Sequence, residues 1–364
     1  MTKPTVLESL TQQGVSRRSF LKFCAISASM LALPVGKVAS ALAATPMPSI
    51  IWLHFQECTG CTESLTRSFD PTLESLILSR VSLDYHETLM AAAGVQAEQA
   101  RNDAIKTHYG NYILVVEGAL PTKPGFAANA GQDAIAILNE AVAGAALVIA
   151  VGACASFGGL PKAFSPLPGS SSPSGAQSVN DLMKAGRVTS KTLINVPGCP
   201  PIPEVMSGVL VYYLVNGTAP ALDSNLRPKQ FYGETVHDEC PRHDYYEDDL
   251  FALTFDDDGA RKGYCLLKLG CRGPKSHNAC TQIRWNQGAS YPMYSGHGCL
   301  GCAEPDFWNW KNSSGAYVSI YGLASSSGGS GGDRDRDRDN DEDDDDDHDD
   351  NDHEDDGDDD KKND

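Results

Sequence analysis

The sequence predicts an α/β fold whose first half is a doubly wound parallel sheet of the flavodoxin-like type. Two observations predict it. Short apolar runs of β type alternate with segments of helical composition between Ser49 and Val196, an order that is typical of βαβ units. Runs such as LVIAV (Leu147–Val151) are apolar at every position, as expected for strands that are covered on both faces of a sheet.

The elements follow one another along this half of the chain. Five strands are predicted, at Ile50–Phe55, Val81–His86, Tyr112–Leu120, Ala146–Cys154 and Thr192–Cys199. The segments between them include three with helical composition, at Pro71–Leu78, Ala91–Ile105 and Ala127–Ala143. The predicted domain extends over residues 44–224.

The composition changes beyond residue 224. Residues 225–323 are rich in Gly, Pro, His, Asp and aromatic side chains, have few periodic apolar runs and hold six of the eleven cysteines. So little regular structure is hard to stabilise by apolar burial alone. We therefore expect a second, largely irregular domain that is held together by bound groups.

The N-terminus has the features of an export signal. The segment SRRSFLK (Ser16–Lys22) precedes an apolar stretch, Phe23–Val35, and a small-residue cleavage motif, Ala41–Ala43. This order predicts a twin-arginine signal peptide over residues 1–43 that is cleaved and lies outside the fold. The alternative, a membrane anchor, is disfavoured because Pro34 and Lys37 interrupt the apolar run. No later stretch reaches 18 apolar residues, so the mature chain is not expected to span a membrane by itself.

The negative charge is concentrated at the C-terminus. The 364 residues carry a formal net charge of −19, and Asp333–Asp364 alone holds 21 acidic and 5 basic side chains, a net charge of −16. With the Gly/Ser linker before it, this segment makes residues 324–364 a predicted disordered acidic tail. A tail that binds cations or a basic partner is the alternative. The remaining chain has no basic patch of the kind that binds nucleic acid.

Ten cysteines remain once Cys24, in the signal, is set aside. An even number in an exported chain is typical of disulfides. Their placement favours a metal site, because four of them follow predicted strands, at Cys58, Cys61, Cys154 and Cys199. Loops at the carboxyl ends of parallel strands converge on one crevice, so four thiolates are expected to meet there. Structural zinc also takes four cysteines, although usually from two close C-x-x-C pairs.

Two other C-x-x-C chemistries do not match. Haem attachment needs a histidine directly after the second cysteine, where Thr62 and Ala303 stand. The C-x₂-C-x₂-C-x₃-C-P run of bacterial ferredoxins is absent. The second half offers His237, Cys240, Cys265, Cys271, Cys280, Cys299 and Cys302 as further ligands. Spacing alone leaves open how these seven divide between sites.

Eight motifs, in order, resemble the small subunit of nickel–iron hydrogenases. The resemblance covers roughly residues 49–312 and the export signal. Its motifs are ECTGCTES (Glu57–Ser64), YHETLMAAAG (Tyr85–Gly94), VEGALP (Val116–Pro121), GACASFGG (Gly152–Gly159), VPGCPP (Val196–Pro201), HDEC (His237–Cys240), CLLKLGCRGP (Cys265–Pro274) and GCLGCAEPDFW (Gly298–Trp308).

The resemblance implies three iron–sulfur sites. We name them here by the family's order: the proximal set, which would hold a 4Fe-4S cluster, is Cys58, Cys61, Cys154 and Cys199. The distal set, also for a 4Fe-4S cluster, is His237, Cys240, Cys265 and Cys271. The medial set, for a 3Fe-4S cluster, is Cys280, Cys299 and Cys302. Pro292 stands where some relatives have a fourth medial cysteine, which favours the three-iron form.

The resemblance also implies the function. It predicts the electron-transfer subunit of an H2-oxidising hydrogenase, in an obligate heterodimer with a large subunit that carries the nickel–iron centre and the catalytic residues. Electrons would pass through the three clusters to a cytochrome or other membrane-associated acceptor. The twin-arginine route would place the enzyme in the periplasm, with any membrane association made through a partner. The alternatives are an exported binding protein with five disulfides and an iron–sulfur subunit of another exported oxidoreductase.

Two features depart from the pattern of some relatives. Oxygen-tolerant members have two extra cysteines near the proximal cluster, where this chain has Gly60 and Gly159. The resemblance therefore implies an ordinary proximal cluster and an enzyme that oxygen inactivates. Membrane-bound members often end in a hydrophobic anchor helix, where this chain has its acidic tail.

Overall fold

Five parallel strands form the central sheet of the protein. The computed structural model describes residues 17–44, 47–69, 81–163, 172–305 and 308, all within a compact unit formed by residues 1–325. The sheet has the strand order β2-β1-β3-β6-β7, and every neighbouring pair is parallel. Its strands are β1 Ser49–His54, β2 Ser82–His86, β3 Tyr112–Glu117, β6 Ala145–Val151 and β7 Leu193–Val196, and a separate two-stranded antiparallel hairpin consists of β4 Ala128–Asn129 and β5 Gln132–Asp133.

Both faces of the sheet are buried, which explains why its strands are apolar throughout. Along β3, Ile113 and Val115 belong to one hydrophobic core cluster, whereas Leu114 and Val116 belong to a second cluster. Successive side chains of a strand point to opposite faces, so the two clusters lie on opposite sides of the sheet. The predicted α/β class is confirmed, and each observed strand begins within one residue of its predicted start.

Helices connect the strands. The first of the sheet domain, α3, is one of several short helices whose first turn lies at the carboxyl end of a strand. The predicted helix at Pro71–Leu78 lies outside the described residues. The helices are α1 Arg17–Met30, α2 Val35–Ala44, α3 Gly60–Thr66, α4 Val95–Thr107, α5 Ala134–Ala143, α6 Gly152–Phe157, α7 Gly159–Lys162, α8 Val179–Lys184, α9 Pro203–Asn216, α10 Lys229–Tyr232, α11 His243–Glu247 and α12 Asp258–Arg261.

The N-terminal helices α1 and α2 pack against the body, contrary to the expectation that this segment lies outside the fold. Phe23, Cys24 and Leu42 are at most 3% exposed and belong to the same core cluster as one face of the sheet. Both helices contact α9, and Lys37 Nζ donates to Asn216 Oδ1 at 2.7 Å. The helix α9 is apolar over most of its length, so it can bury one side on the sheet and another under α1 and α2. Cleavage after residue 43 stays a prediction.

The second half has the irregular structure that its composition predicts. From α10 to residue 305, its helices are four or five residues long, and two 3-10 turns follow at Leu267–Leu269 and Gly273–Lys275. The chain between them consists of turns and isolated bridges. The boundary near residue 225 stays a prediction, and the acidic tail lies outside the described residues. In the part of the chain that the structure describes, no helix has the length and apolar character needed to cross a membrane.

Candidate metal centres

The proximal set converges at the carboxyl end of the sheet. Cys58 follows β1, Cys61 lies in the first turn of α3, Cys154 in the first turn of α6, and Cys199 follows β7. The sulfurs are close enough to act on one another. Burial raises the pKa of the Cys61 thiol far above its ordinary value, and the charges of Glu117 and then of the other three proximal cysteines raise it further. The structure therefore brings together the four residues that the motifs single out.

Two glycines leave the space that the proximal sulfurs occupy. At Gly152, where φ is +82°, a Cβ atom would lie 2.4 Å from Cys61 Sγ. At Gly159, where φ is +48°, it would lie 2.8 Å from the Cys154 backbone and 2.9 Å from its Sγ. Side chains rarely adopt this left-handed backbone. Both positions therefore require glycine in this conformation.

The medial set lies in a cavity of about 410 Å³. Burial is the main reason that the pKa of each of its three thiols is raised to about 12, and the neighbouring cysteines raise it further. Pro292, where some relatives would place a fourth cysteine, lines the same cavity, as does Cys199 of the proximal set. The medial and proximal sets therefore share a wall.

The distal set lines one small pocket. Its one histidine, His237, has a buried Nε2 atom with no hydrogen-bond partner. Burial lowers the pKa of His237 below its ordinary value, and the charge of His243 lowers it further. Both shifts favour the neutral imidazole, which is the form that binds a metal. An orphaned, neutral imidazole beside three thiols fits a metal centre with one nitrogen ligand.

A hydrogen bond joins the distal and medial sets. The backbone N–H of Cys299, in the medial set, donates to Sγ of Cys271, in the distal set, at 3.2 Å. At the other end of the medial set, a hydrogen bond from the Cys199 backbone acts on the Cys302 thiol. The three sets thus form a continuous series, with the medial set in contact with both others.

The chemistry of the donors fits iron–sulfur clusters. Ten thiols and one imidazole face three sites, and no disulfide joins any cysteine of the chain, all of which lie in its described part. Buried thiols with raised pKa values stay protonated unless a cation stabilises their thiolates. Two groups of four donors and one of three match cluster ligation. The assignment of each residue as a ligand stays a prediction.

Sequence analysis assigned no role to several buried charged residues around these sites. Glu117 lies in the motif VEGALP, and its carboxylate contacts the backbone of Cys61. Arg227 and Glu304 form a buried ion pair near the medial set, with 2.9 Å between Nη1 and Oε1. An isolated acid at the end of an apolar strand, YILVVE (Tyr112–Glu117), is the signal that would have identified Glu117.

Ligand-type atoms also cluster outside the three sets. His54, Glu57 and Glu117 each offer one such atom, and these lie within 4.8 Å of one another. Each oxygen of Glu117, however, already accepts two hydrogen bonds. This group is therefore a hydrogen-bonded cluster that supports the proximal loop.

Comparison with known proteins gives consistent matches over both halves of the chain. Residues 232–314 match the family of NiFe/NiFeSe hydrogenase small subunits, C-terminal. Residues 58–213 match the family of the NADH ubiquinone oxidoreductase 20 kDa subunit.

Individual relatives agree with these matches. The chain is 46% identical to the Hydrogenase-1 small chain of Escherichia coli K12 over 310 residues, which are 84% of this chain and 80% of that one. It is 46% identical to the periplasmic [NiFe] hydrogenase small subunit 1 of Nitratidesulfovibrio vulgaris, over 84% of this chain and 94% of that one. A solved [NiFeSe]-hydrogenase from Dm. baculatum superposes with a TM-score of 0.64 at 33% identity, covering 72% of this chain and 95% of that one.

Proposed function

The chain belongs to the family of nickel–iron hydrogenase small subunits, and from this premise we propose the route that electrons take through it. It is the electron-transfer subunit of a hydrogenase, an enzyme that exchanges electrons between H2 and an acceptor. We propose that electrons enter at the proximal set, pass to the medial set and leave from the distal set. The nickel–iron centre would lie on a large subunit, bound as an obligate heterodimer.

One observation carries this order. The medial set contacts the proximal set through Cys302 and Cys199, and the distal set through Cys299 and Cys271. When bound, iron–sulfur clusters supply sites that take up and release one electron at a time. The residues of this chain hold those sites in series, set their surroundings and exclude water from the medial cavity. Cys58 and Cys199 are exposed in the isolated chain, so the proximal end is the side that a large subunit would cover.

The cluster types follow from the number of donors. Four donors in each of the proximal and distal sets would hold 4Fe-4S clusters, and three in the medial set would hold a 3Fe-4S cluster. Exchanging a thiolate for a neutral imidazole at the distal site removes negative charge and favours its reduced state. Binding of the clusters would also supply folding free energy to the irregular second half.

Iron analysis tests this proposal directly. Heterodimer purified without air should contain about 11 iron atoms in the small subunit, with the visible absorption and electron paramagnetic resonance (EPR) signals of iron–sulfur clusters. A colourless, iron-free chain whose cysteines are all oxidised would instead support the disulfide-linked binding protein. A large partner without nickel ligands would support another exported oxidoreductase, which the match of residues 58–213 alone would allow. The match of residues 232–314 favours the hydrogenase.

We propose that the chain is exported to the periplasm by the twin-arginine route, as the name of one relative and the SRRSFLK segment suggest. Replacing both arginines by lysine, R17K and R18K, is expected to leave the protein in the cytoplasm, because the exporter recognises the arginine pair. Cell fractionation followed by H2-dependent dye reduction in each fraction measures this. The matched control is Lys22→Arg, which keeps the charge of the segment and should not change the location. Normal export of the double variant would contradict the proposal.

We propose that air inactivates the enzyme, because Gly60 and Gly159 replace the extra cysteines of oxygen-tolerant relatives. The steric conflict of a Cβ at Gly159 with Cys154 makes a simple restoration of one cysteine unfavourable. Wild-type activity is expected to fall under sustained air and to return after reduction under H2. Gly159→Cys alone is expected to lower the cluster content rather than to protect. Activity that persists in air would show that the two glycines do not decide oxygen sensitivity.

The electron acceptor would be a cytochrome or another membrane-associated protein at the distal end. The protein would reach the membrane through that partner. Co-purification after mild crosslinking of intact cells, followed by identification of haem-containing partners, tests this directly.

A further inference from the structure

Glu117 ends β3 and is fully buried, directly beside the proximal set. Its Oε1 atom accepts hydrogen bonds from the backbone N–H groups of Cys61, at 3.0 Å, and Thr62, at 3.3 Å. Its Oε2 atom accepts from Thr62 Oγ1, at 2.6 Å, and from Trp52 Nε1, at 3.1 Å. Three of these four partners can only donate, so the arrangement is built for the ionised carboxylate.

This charge lacks a cationic partner. Within the described ranges, no lysine or arginine nitrogen lies within ion-pair distance of Glu117, and the nearest listed basic atom is His54 Nδ1 at 3.8 Å. A second buried acid near a cluster site, Glu304, is different, because Arg227 neutralises it at 2.9 Å. A buried charge without a counterion acts strongly on its surroundings, since little solvent screens it.

The field of Glu117 reaches the proximal sulfurs. After burial, its charge is the largest cause of the raised pKa of Cys61, ahead of each of the other three proximal thiols. The carboxylate also holds the N–H groups of Cys61 and Thr62, which are then not free to donate to sulfur. Hydrogen bonds to the sulfurs and net charge are the two main protein influences on cluster potential. Both act here in the same direction, against the addition of an electron.

We propose that Glu117 is a positioning residue that keeps the reduction potential of the proximal site low, through its charge and through the two N–H groups it holds. The inference rests on the proposed function, because it presupposes a cluster on the proximal set. Its consequence for electron transfer is directional: a low potential at the point of entry favours passage of each electron onward to the medial site.

The test is a redox titration followed by EPR on anaerobically purified heterodimer. Glu117→Gln keeps the size of the side chain but removes its charge. We expect the midpoint of the proximal signal to move to higher potential while the iron content is retained. Glu304→Gln is the matched control, another neutralised buried acid, and is expected to leave the proximal midpoint unchanged. A proximal midpoint that stays the same or falls in Glu117→Gln, with full iron content, would overturn the inference.

A second variant keeps the inference testable if Glu117→Gln fails to retain its cluster. Trp52→Phe removes the indole donor from Oε2, so the charge of Glu117 is less dispersed, and the midpoint is expected to fall. An unchanged or higher midpoint would count against the inference. Absence of iron from the wild-type heterodimer would be a failure of the proposed function instead, and the two failures are therefore distinguishable.

Discussion

Replacing Cys199 by alanine is expected to abolish electron transfer from H2 to an added dye. Cys199 belongs to the proximal set, lines the medial cavity and interacts with Cys302, so its loss affects the first site directly and the second through their shared wall. Mutations of residues that only support metal ligands typically cost 10- to 100-fold in metal affinity or activity. Loss of a ligand should therefore lower H2-dependent dye reduction by at least about 100-fold, with loss of the proximal EPR signal.

The control for this variant comes from the chain itself. Cys24→Ala removes a buried cysteine of α1, in the segment that we predict is cleaved. The mature Cys24→Ala enzyme should equal the wild type in iron content and in dye reduction. Activity of Cys199→Ala within tenfold of this control would contradict the assignment of Cys199 to the proximal site.

Replacing Arg227 by alanine is expected to cause the largest loss of stability. The Arg227 side chain is 3% exposed, and its guanidinium bonds Asp223 at 2.7 Å, Glu304 at 2.9 Å and the carbonyl oxygen of Ala303 at 3.0 Å. Removal of one partner of a buried ion pair leaves an uncompensated charge, at a cost of about 3–5 kcal/mol. The free energy of unfolding should fall by that amount in an anaerobic denaturant titration.

An exposed pair serves as the comparison for Arg227. Arg261 Nη2 lies 2.6 Å from Asp258 Oδ1, but both side chains are largely exposed, and such pairs contribute little to stability. Arg261→Ala should therefore unfold close to the wild type. Equal stabilities of the Arg227→Ala and Arg261→Ala variants would show that the buried ion pair does not hold residues 223–227 to the segment that carries Cys302.

The sheet was predictable because its physics is local. Strands buried on both faces must be apolar at every position, so β3 and β6 could be identified and their starts placed within one residue. Their ends were less predictable. The predicted strand ending at Cys154 stops at Val151, because Gly152 takes a left-handed conformation and begins α6. The thiol therefore projects from a helical turn instead of a strand end, and it still reaches the same crevice.

The sites could be predicted less completely than the fold. Residue types and their order along the chain pointed to the proximal set, because the ends of parallel strands converge. The division of His237 and the six later cysteines depended on the resemblance, since irregular chain gives no rule for which residues meet. The contact between Cys299 and Cys271 joins residues 28 positions apart through turns alone, and no periodic pattern encodes such a contact.

The packing of α1 and α2 was not predictable for a different reason. An apolar run that follows an arginine pair has the pattern of an export signal, and that pattern says nothing about what the run contacts before it is cleaved. The partner surface is α9, whose apolar character is not confined to one stripe. A helix of this kind gives no periodic signal for a second covering layer.

The shared walls between the three sets have an evolutionary consequence. Because Cys299 bonds Cys271 and Cys199 interacts with Cys302, a loop that carries one ligand also shapes the neighbouring site. A substitution or insertion that suits one site is therefore selected against if it displaces the next. The sites are expected to be inherited as one block, and lineages that change one cluster type should show paired changes in the adjoining loop. Sequence comparisons across the family can detect this as covariation between positions near residues 199 and 302, and near 271 and 299.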